Sequence, residues 1–264
     1  MARGLSRFWL WTAPLTAGIA AAVVFGGGFV LALRGAAGKP LGTPPPAPTP
    51  AEARAAARDG VYRILVVGDS LAKGTGDDTG KGFAVNVLEA FRRKGPAEIT
   101  NLAVNGMESS EVRALVETPN VRALAGRADL ILVSAGANDL SHGAFRGGAA
   151  PTELVDNVAE SRRRYAENLR AILTALREAN PRARICVLGF YDPFGEEKAA
   201  GRLGASVVLE WNALMTETAL SFPNVAVVPT FDLFQGRPDR LSADHYHPNA
   251  AAYEEIAKRM LQVI

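Results

Sequence analysis

Five short apolar runs, rich in β-branched residues and spaced by helix-length segments, constrain this chain more than any other feature. They are Tyr62–Val67 (YRILVV), Ala97–Val104 (AEITNLAV), Ala128–Ala135 (ADLILVSA), Arg184–Phe190 (RICVLGF) and Val225–Pro229 (VAVVP). Strict alternation would bury one face of a strand, whereas a continuous apolar run buries both. Between the runs, Phe83–Lys94 sets Phe83, Val87, Leu88 and Phe91 at helical spacing. Glu153–Ala179 does the same with Tyr165, Leu169, Ile172 and Leu176, preceded by Pro151–Thr152 and stopped by Pro181. Ser206–Ser221 and Ala250–Ile264 are the remaining helices. The pattern predicts an α/β fold, a five-stranded parallel sheet covered on both faces. Ligands of such sheets bind beyond the carboxyl ends of the strands, so the loops there are where chemistry is to be sought.

This pattern occupies residues 61–264, enough chain for one full core. Residues 1–37 read as an N-terminal transmembrane signal anchor. Phe8–Leu33 carries no charge and, at about 20 residues per crossing, is long enough to span a bilayer. Arg3 and Arg7 on one side are balanced by Arg34 and Lys39 on the other, so flanking charge does not orient it. The expectation is a single-pass protein of the cell membrane with its domain extracytoplasmic, or a secreted one if cleavage follows Ala36–Ala37. Residues 38–60 form a Pro/Ala-rich linker in which Pro44–Pro46, Pro48 and Pro50 favour extended backbone. The net charge of +2, from 29 basic and 27 acidic residues, gives no footprint for a nucleic-acid partner. Arg162–Arg164 read as a solvated helix face. The one cysteine, Cys186, cannot form an intramolecular disulfide and reads as a buried core thiol.

Four of the loops carry residues with chemical potential. After the first run comes Gly68-Asp69-Ser70, where glycine permits a tight turn and Ser70 starts the next segment beside helical N–H groups. Asp69 and Ser70 read equally well as cap and turn residues. After the second comes Asn105-Gly106-Met107, whose glycine N–H is either a donor to a reacting oxygen or part of a plain turn. After the third comes Gly136-Ala137-Asn138-Asp139; Asn138 offers a neutral amide donor, or an Asx turn. After the fifth comes Asp244-His245-Tyr246-His247-Pro248, with two of the chain's three histidines. The three-residue spacing lets Asp244 reach Nδ1 of His247 and leaves Nε2 free to take a serine proton. His142 and His245 read as surface residues. A metal held by Asp244, His245 and His247 is the rival reading, and it leaves Ser70, Gly106 and Asn138 without a purpose. The glycines Gly74, Gly76 and Gly80 predict a mobile wall beside Ser70, and the Gly-rich Ser141–Ala150 predicts a second. Phe83, Phe145, Tyr191 and Phe194 are the expected aromatic anchors of an open groove.

The blocks GDS (68–70), NGM with Gly106, GAND (136–139) and DHYHP (244–248), in this order, resemble the signature of the SGNH, or GDSL-type, hydrolase superfamily. The strings VVGDSLAKGTGD and YHPNAAAY resemble a bacterial branch related to lysophospholipases and acyl-esterases. One departure is Ala252, where glycine is common. The resemblance implies a three-layer α/β/α sandwich with flavodoxin-like strand order. It implies Ser70 as nucleophile, Asp244 and His247 completing a triad, and an oxyanion hole from Ser70, Gly106 and Asn138. The implied activity is a serine esterase or lipase hydrolysing carboxylic esters, with no metal or other cofactor and a small-molecule or lipid ester as substrate. A carbohydrate O-deacetylase of the same superfamily is the alternative, and a catalytically silent binding module a weaker one.

Overall fold

The computed structural model describes residues 60–145, 151–193 and 199–264. The expected transmembrane anchor and most of the linker lie outside them. Among the described residues, no helix is long and apolar enough to cross a membrane.

Strands β1 (Tyr62–Gly68), β2 (Ala97–Asn101), β3 (Leu130–Ser134), β4 (Arg184–Leu188) and β5 (Val225–Val228) form one parallel sheet in the order β2-β1-β3-β4-β5. That is the flavodoxin-like order, with its switch point between β1 and β3. The two-residue period of each strand splits its side chains between two cores. Ile64, Val66, Leu130, Leu132, Cys186 and Leu188 face one side, packed by α2 (Gly82–Arg92) and α9 (Ala250–Val263). Leu65, Val67, Ile131, Val133, Ile185 and Val187 face the other. There they meet α3 (Ser109–Glu117), α4 (Pro119–Ala125), α6 (Pro151–Ala179) and α7 (Ala199–Leu220). Full burial of each such aliphatic side chain contributes about 1.5–3 kcal/mol. Cys186 is buried as expected, and desolvation pushes its thiol up to about 11. Arg162 and Arg163 lie on an exposed face of α6, paired with Glu210, Glu160 and Glu167.

The elements near the site are short. They are α1 (Ser70–Lys73) directly after β1, α5 (Ala137–Phe145) after β3, α8 (Phe231–Phe234) and a 3-10 turn at Pro238–Arg240. β2 stops at Asn101, whose side chain bonds Ala72 O and Ala103 N. The chain nevertheless stays on β1 through Leu102 N and Val104 N, as far as the sequence predicts.

Two expectations are corrected. Phe83 and Tyr191 do not line a groove: Phe83 is fully buried against Tyr253, and Tyr191 stacks on Phe234 at 4.0 Å inside the same core. Their apolar contacts belong to the helix–sheet interface. Nor do the glycines after Ser70 form an unanchored wall. Gly74 caps α1, and Asp77 ties the turn to Thr79 and Gly82 N. Gly76 lies against the segment that carries His247.

Candidate active site

The site begins with a turn that only glycine can make. Gly68 ends β1 at φ 143, and a Cβ there would lie 2.0 Å from the Ser134 carbonyl oxygen of β3. The close approach lets Asp69 N–H donate to that carbonyl at 3.1 Å. Asp69 then caps α1: Oδ1 accepts from Leu71 N at 3.1 Å and from Ser134 Oγ at 2.7 Å. The carboxyl is fully buried and its Oδ2 has no partner. Burial raises its pKa, against the pull of the Ser134 and backbone hydrogen bonds. Ser70 follows as the first residue of α1, where a helix leaves its N–H without an internal partner.

The opposite wall is a loop that closes on itself. Leu241 and Pro248 form an antiparallel bridge, and Ser242 N donates to His247 O at 2.8 Å. Inside the loop, Asp244 Oδ1 accepts from Ser242 Oγ (2.7 Å), Tyr246 N (2.9 Å) and His247 N (2.9 Å). Its Oδ2 meets His247 Nδ1 at 2.6 Å. Desolvation alone would raise the Asp244 carboxyl. The bonds from His247, Ser242 and the backbone outweigh it and hold the group well below the usual carboxylate range. Asp244 is therefore an anion throughout the neutral range, which fixes the imidazole with Nδ1 protonated. His247 Nε2 lies 2.9 Å from Ser70 Oγ. One hydrogen-bonded chain runs from carboxylate through imidazole to hydroxyl, the arrangement in which a base can take a serine proton.

Gly76 seats this loop. At φ 93 it lies so close that a Cβ would meet Pro248 O at 2.6 Å and His247 Cβ at 2.7 Å. The Tyr246 ring packs edge-on against the imidazole at 5.1 Å. His245, at φ 55, is exposed, and its N–H donates to Ser242 O. Among the described residues no three His, Cys, Asp or Glu side chains converge to hold a metal, and Asp244 spends both oxygens within its own loop.

The other two predicted donors stand on neighbouring loops. Gly106 sits in the turn after β2, with open space where a side chain would project. Among the described residues, its N–H has no backbone acceptor. Asn138 lies in the first turn of α5 and gives one amide hydrogen to Met107 O at 2.7 Å, leaving the second for a ligand oxygen. Ser109 and Asn168 bear on this site but carry no motif of their own, and Gly76, named in sequence as part of a mobile wall, proves to seat the His247 loop. Asp139 falls inside the GAND block, and its buried bond to Ser109 is not visible in sequence. His142, exposed on α5 as expected, pairs with Glu108 at 2.6 Å.

Residues 66–255 match the GDSL-like lipase/acylhydrolase family. An uncharacterised Bacillus subtilis (strain 168) protein, YpmR, is 29% identical over 207 residues, covering 76% of this chain and 80% of YpmR. The spore germination lipase LipC of Bacillus licheniformis is 25% identical over 207 residues, covering 75% of this chain and 94% of LipC. The crystal structure of Lip_vut3, a lipase from a goat rumen metagenome, shares the fold with a TM-score of 0.66 at 22% identity. It covers 76% of this chain and 97% of that one.

Proposed function

Because the chain belongs to the GDSL-like lipase/acylhydrolase family and is an ester-hydrolysing enzyme, we propose that it acts through an acyl-enzyme formed on Ser70. The observation that carries this reading is the continuous chain Asp244–His247–Ser70, with contacts of 2.6 and 2.9 Å. His247 takes the proton as Oγ attacks the ester carbonyl. The oxyanion is held by the N–H groups of Ser70 and Gly106 and by the free amide hydrogen of Asn138. Removing one such donor costs about 3–4 kcal/mol of barrier. The alcohol leaves with the proton from His247; water, activated by the same base, then releases the acid.

The substrate we infer is a short- to medium-chain acyl ester of lipid type. Among the described residues Val104 and Asp244 are exposed, and the aromatic side chains Phe83 and Tyr191 are spent in the core. With those two rings unavailable to a chain, the site we infer grips the ester group more than a long acyl tail. The uncharged run Phe8–Leu33 and the Pro-rich linker support a membrane tether.

Fluorophosphonate labelling followed by peptide mapping tests the nucleophile: modification should fall on Ser70 and vanish in Ser70→Ala. A probe that still labels that variant refutes the assignment. Profiling kcat/KM against acyl length, beside a panel of acetylated glycans, tests the substrate. A large preference for the glycans would replace lipid-type esters with carbohydrate esters and leave the triad untouched.

A further inference from the structure

The two loop donors of the oxyanion site belong to strands that do not touch. In the order β2-β1-β3, the turn carrying Gly106 and the helix carrying Asn138 are each attached to β1's neighbourhood but not to each other. The sheet holds Val104 and Ser134 on either side of β1, but the donors lie beyond those points, and ties between the loops set the rest.

Three such ties are present. Asn138 donates to Met107 O, His142 meets Glu108, and Asp139 grips Ser109. The His142–Glu108 pair is largely exposed, and a pair in solvent holds geometry weakly. The Asn138 bond is made by the very amide whose position is at issue. The Asp139 tie is different. Ser109 N donates to Oδ2 at 2.8 Å and Ser109 Oγ to Oδ1 at 2.5 Å, so one serine fills both carboxylate oxygens. Asp139 is 7% exposed and Ser109 fully buried. Asn168 of α6 donates to Ser109 Oγ at 3.0 Å, which turns the hydroxyl hydrogen toward Asp139. The polarity of the chain Asn168 to Ser109 to Asp139 is thus fixed from end to end.

A buried carboxyl at this place is a poor way to gain stability, since apolar residues of the same volume commonly do as well. It is a good way to fix geometry, because charge-assisted bonds are short and directional. Resting on the oxyanion reading above, we propose that Asp139, held by Ser109 and Asn168, is a positioning residue that sets the spacing between the Gly106 and Asn138 donors. It touches no substrate. It is adjacent in sequence to one donor, and Ser109 lies three residues from the other, so a loosened grip moves one against the other. Oxyanion donors work only within a few tenths of an ångström of their place.

The test is a double-mutant cycle on hydrolysis of a short-chain p-nitrophenyl ester, with thermal melts on every variant. Asp139→Asn keeps the shape but presents an amide N–H to a group that itself donates, so one tie is lost. Expected is a fall in kcat of about 10–100-fold with KM within about threefold, since donor placement bears on the transition state. Asn138→Ala alone should cost about 100–1000-fold. In that background Asp139→Asn should cost clearly less than it does alone, because one of the two donors it aligns is gone. A merely structural role would give the same cost in both backgrounds. If Asn138→Ala is crippled while Asp139→Asn is silent, or fully additive with it, the positioning role is overturned and the oxyanion reading stands. If Asn138→Ala keeps full activity, the oxyanion reading falls and takes this proposal with it. Should Asp139→Asn not fold, Ser109→Ala carries the same cycle. It removes the hydroxyl tie and leaves the backbone N–H on Oδ2.

Discussion

Replacing Gly76 by alanine should disable the site without touching any group that reacts. Two costs can be separated. The residue sits at φ 93, and an L-residue held in left-handed backbone costs about 1–2 kcal/mol. For a domain of this size each kcal/mol lowers Tm by about 2–4 °C. The second cost is displacement. The new Cβ would lie 2.7 Å from His247 Cβ and 2.6 Å from Pro248 O, and neither is the far end of a flexible side chain. To restore a carbon–carbon separation of about 3.5 Å, the His247 loop must retreat by roughly 0.8 Å. That shift opens the Nε2 to Oγ contact, now 2.9 Å, past hydrogen-bond length. A misplacement near 1 Å costs about 100-fold in rate, so kcat should fall roughly 10–100-fold. Gly80→Ala is the control. Its φ of 72 brings the same backbone strain, but a Cβ there meets nothing within 4 Å. Esterase kinetics and thermal melts on both variants decide the matter. Both should lose Tm, and only Gly76→Ala should lose kcat and react slowly with fluorophosphonate. Equal kcat in the two variants would refute the reasoning, because strain alone would then explain everything.

Three further outcomes are expected. His247→Ala should lower kcat by several orders of magnitude and His245→Ala by less than about threefold, since only His247 meets Asp244 and Ser70; the reverse order in steady-state kinetics would reassign the base. Burial raises the Asp69 pKa, so the folded state holds a proton that the unfolded chain gives up near pH 4. Stability from this group is complete below that pH and lost as pH rises through the folded value, so Asp69→Asn should gain on wild type as pH rises from about 4 in urea titrations. A flat difference would contradict a raised Asp69. Cys186, fully buried with its thiol pushed up to about 11, should react with a thiol reagent only as fast as the chain unfolds; prompt labelling of the native protein would count against that.

The sheet was legible in the sequence because its strands are buried on both sides, which leaves continuous apolar runs. The long helices were legible from their periodicity, although α6 begins at Pro151 and α7 at Ala199, earlier than the apolar spacing shows. The short helices α3, α4 and α5 were not legible. With seven to nine residues each, they carry too few apolar positions to establish a period, and caps such as Glu108 with Glu111 act instead. Ser70, His247 and Asp244 could be picked out because each sits in a compact block with a distinctive residue type. Asp139 to Ser109, 30 residues apart, and Asn168 to Ser109, 59 apart, could not, since their pairing exists only once the loops meet. The misreading of Phe83 has the same origin. Its neighbours in sequence are a glycine loop, but its neighbours in space are Tyr253 and the sheet.

The self-closed loop from Leu241 to Pro248 has a consequence for how the protein comes into being. The Asp244 carboxylate and the His247 imidazole orient each other within a few residues, through bonds made inside the loop. The serine that His247 meets lies 177 residues earlier, just after the first strand. During synthesis a chain that has completed four strands already carries Ser70, the proposed nucleophile, and lacks His247, its proposed base. It stays inert toward esters however well that part folds. On this reading competence waits for the loop to seat beside Gly76. The onset of ester hydrolysis on a translating ribosome would then report the moment at which this loop meets Ser70.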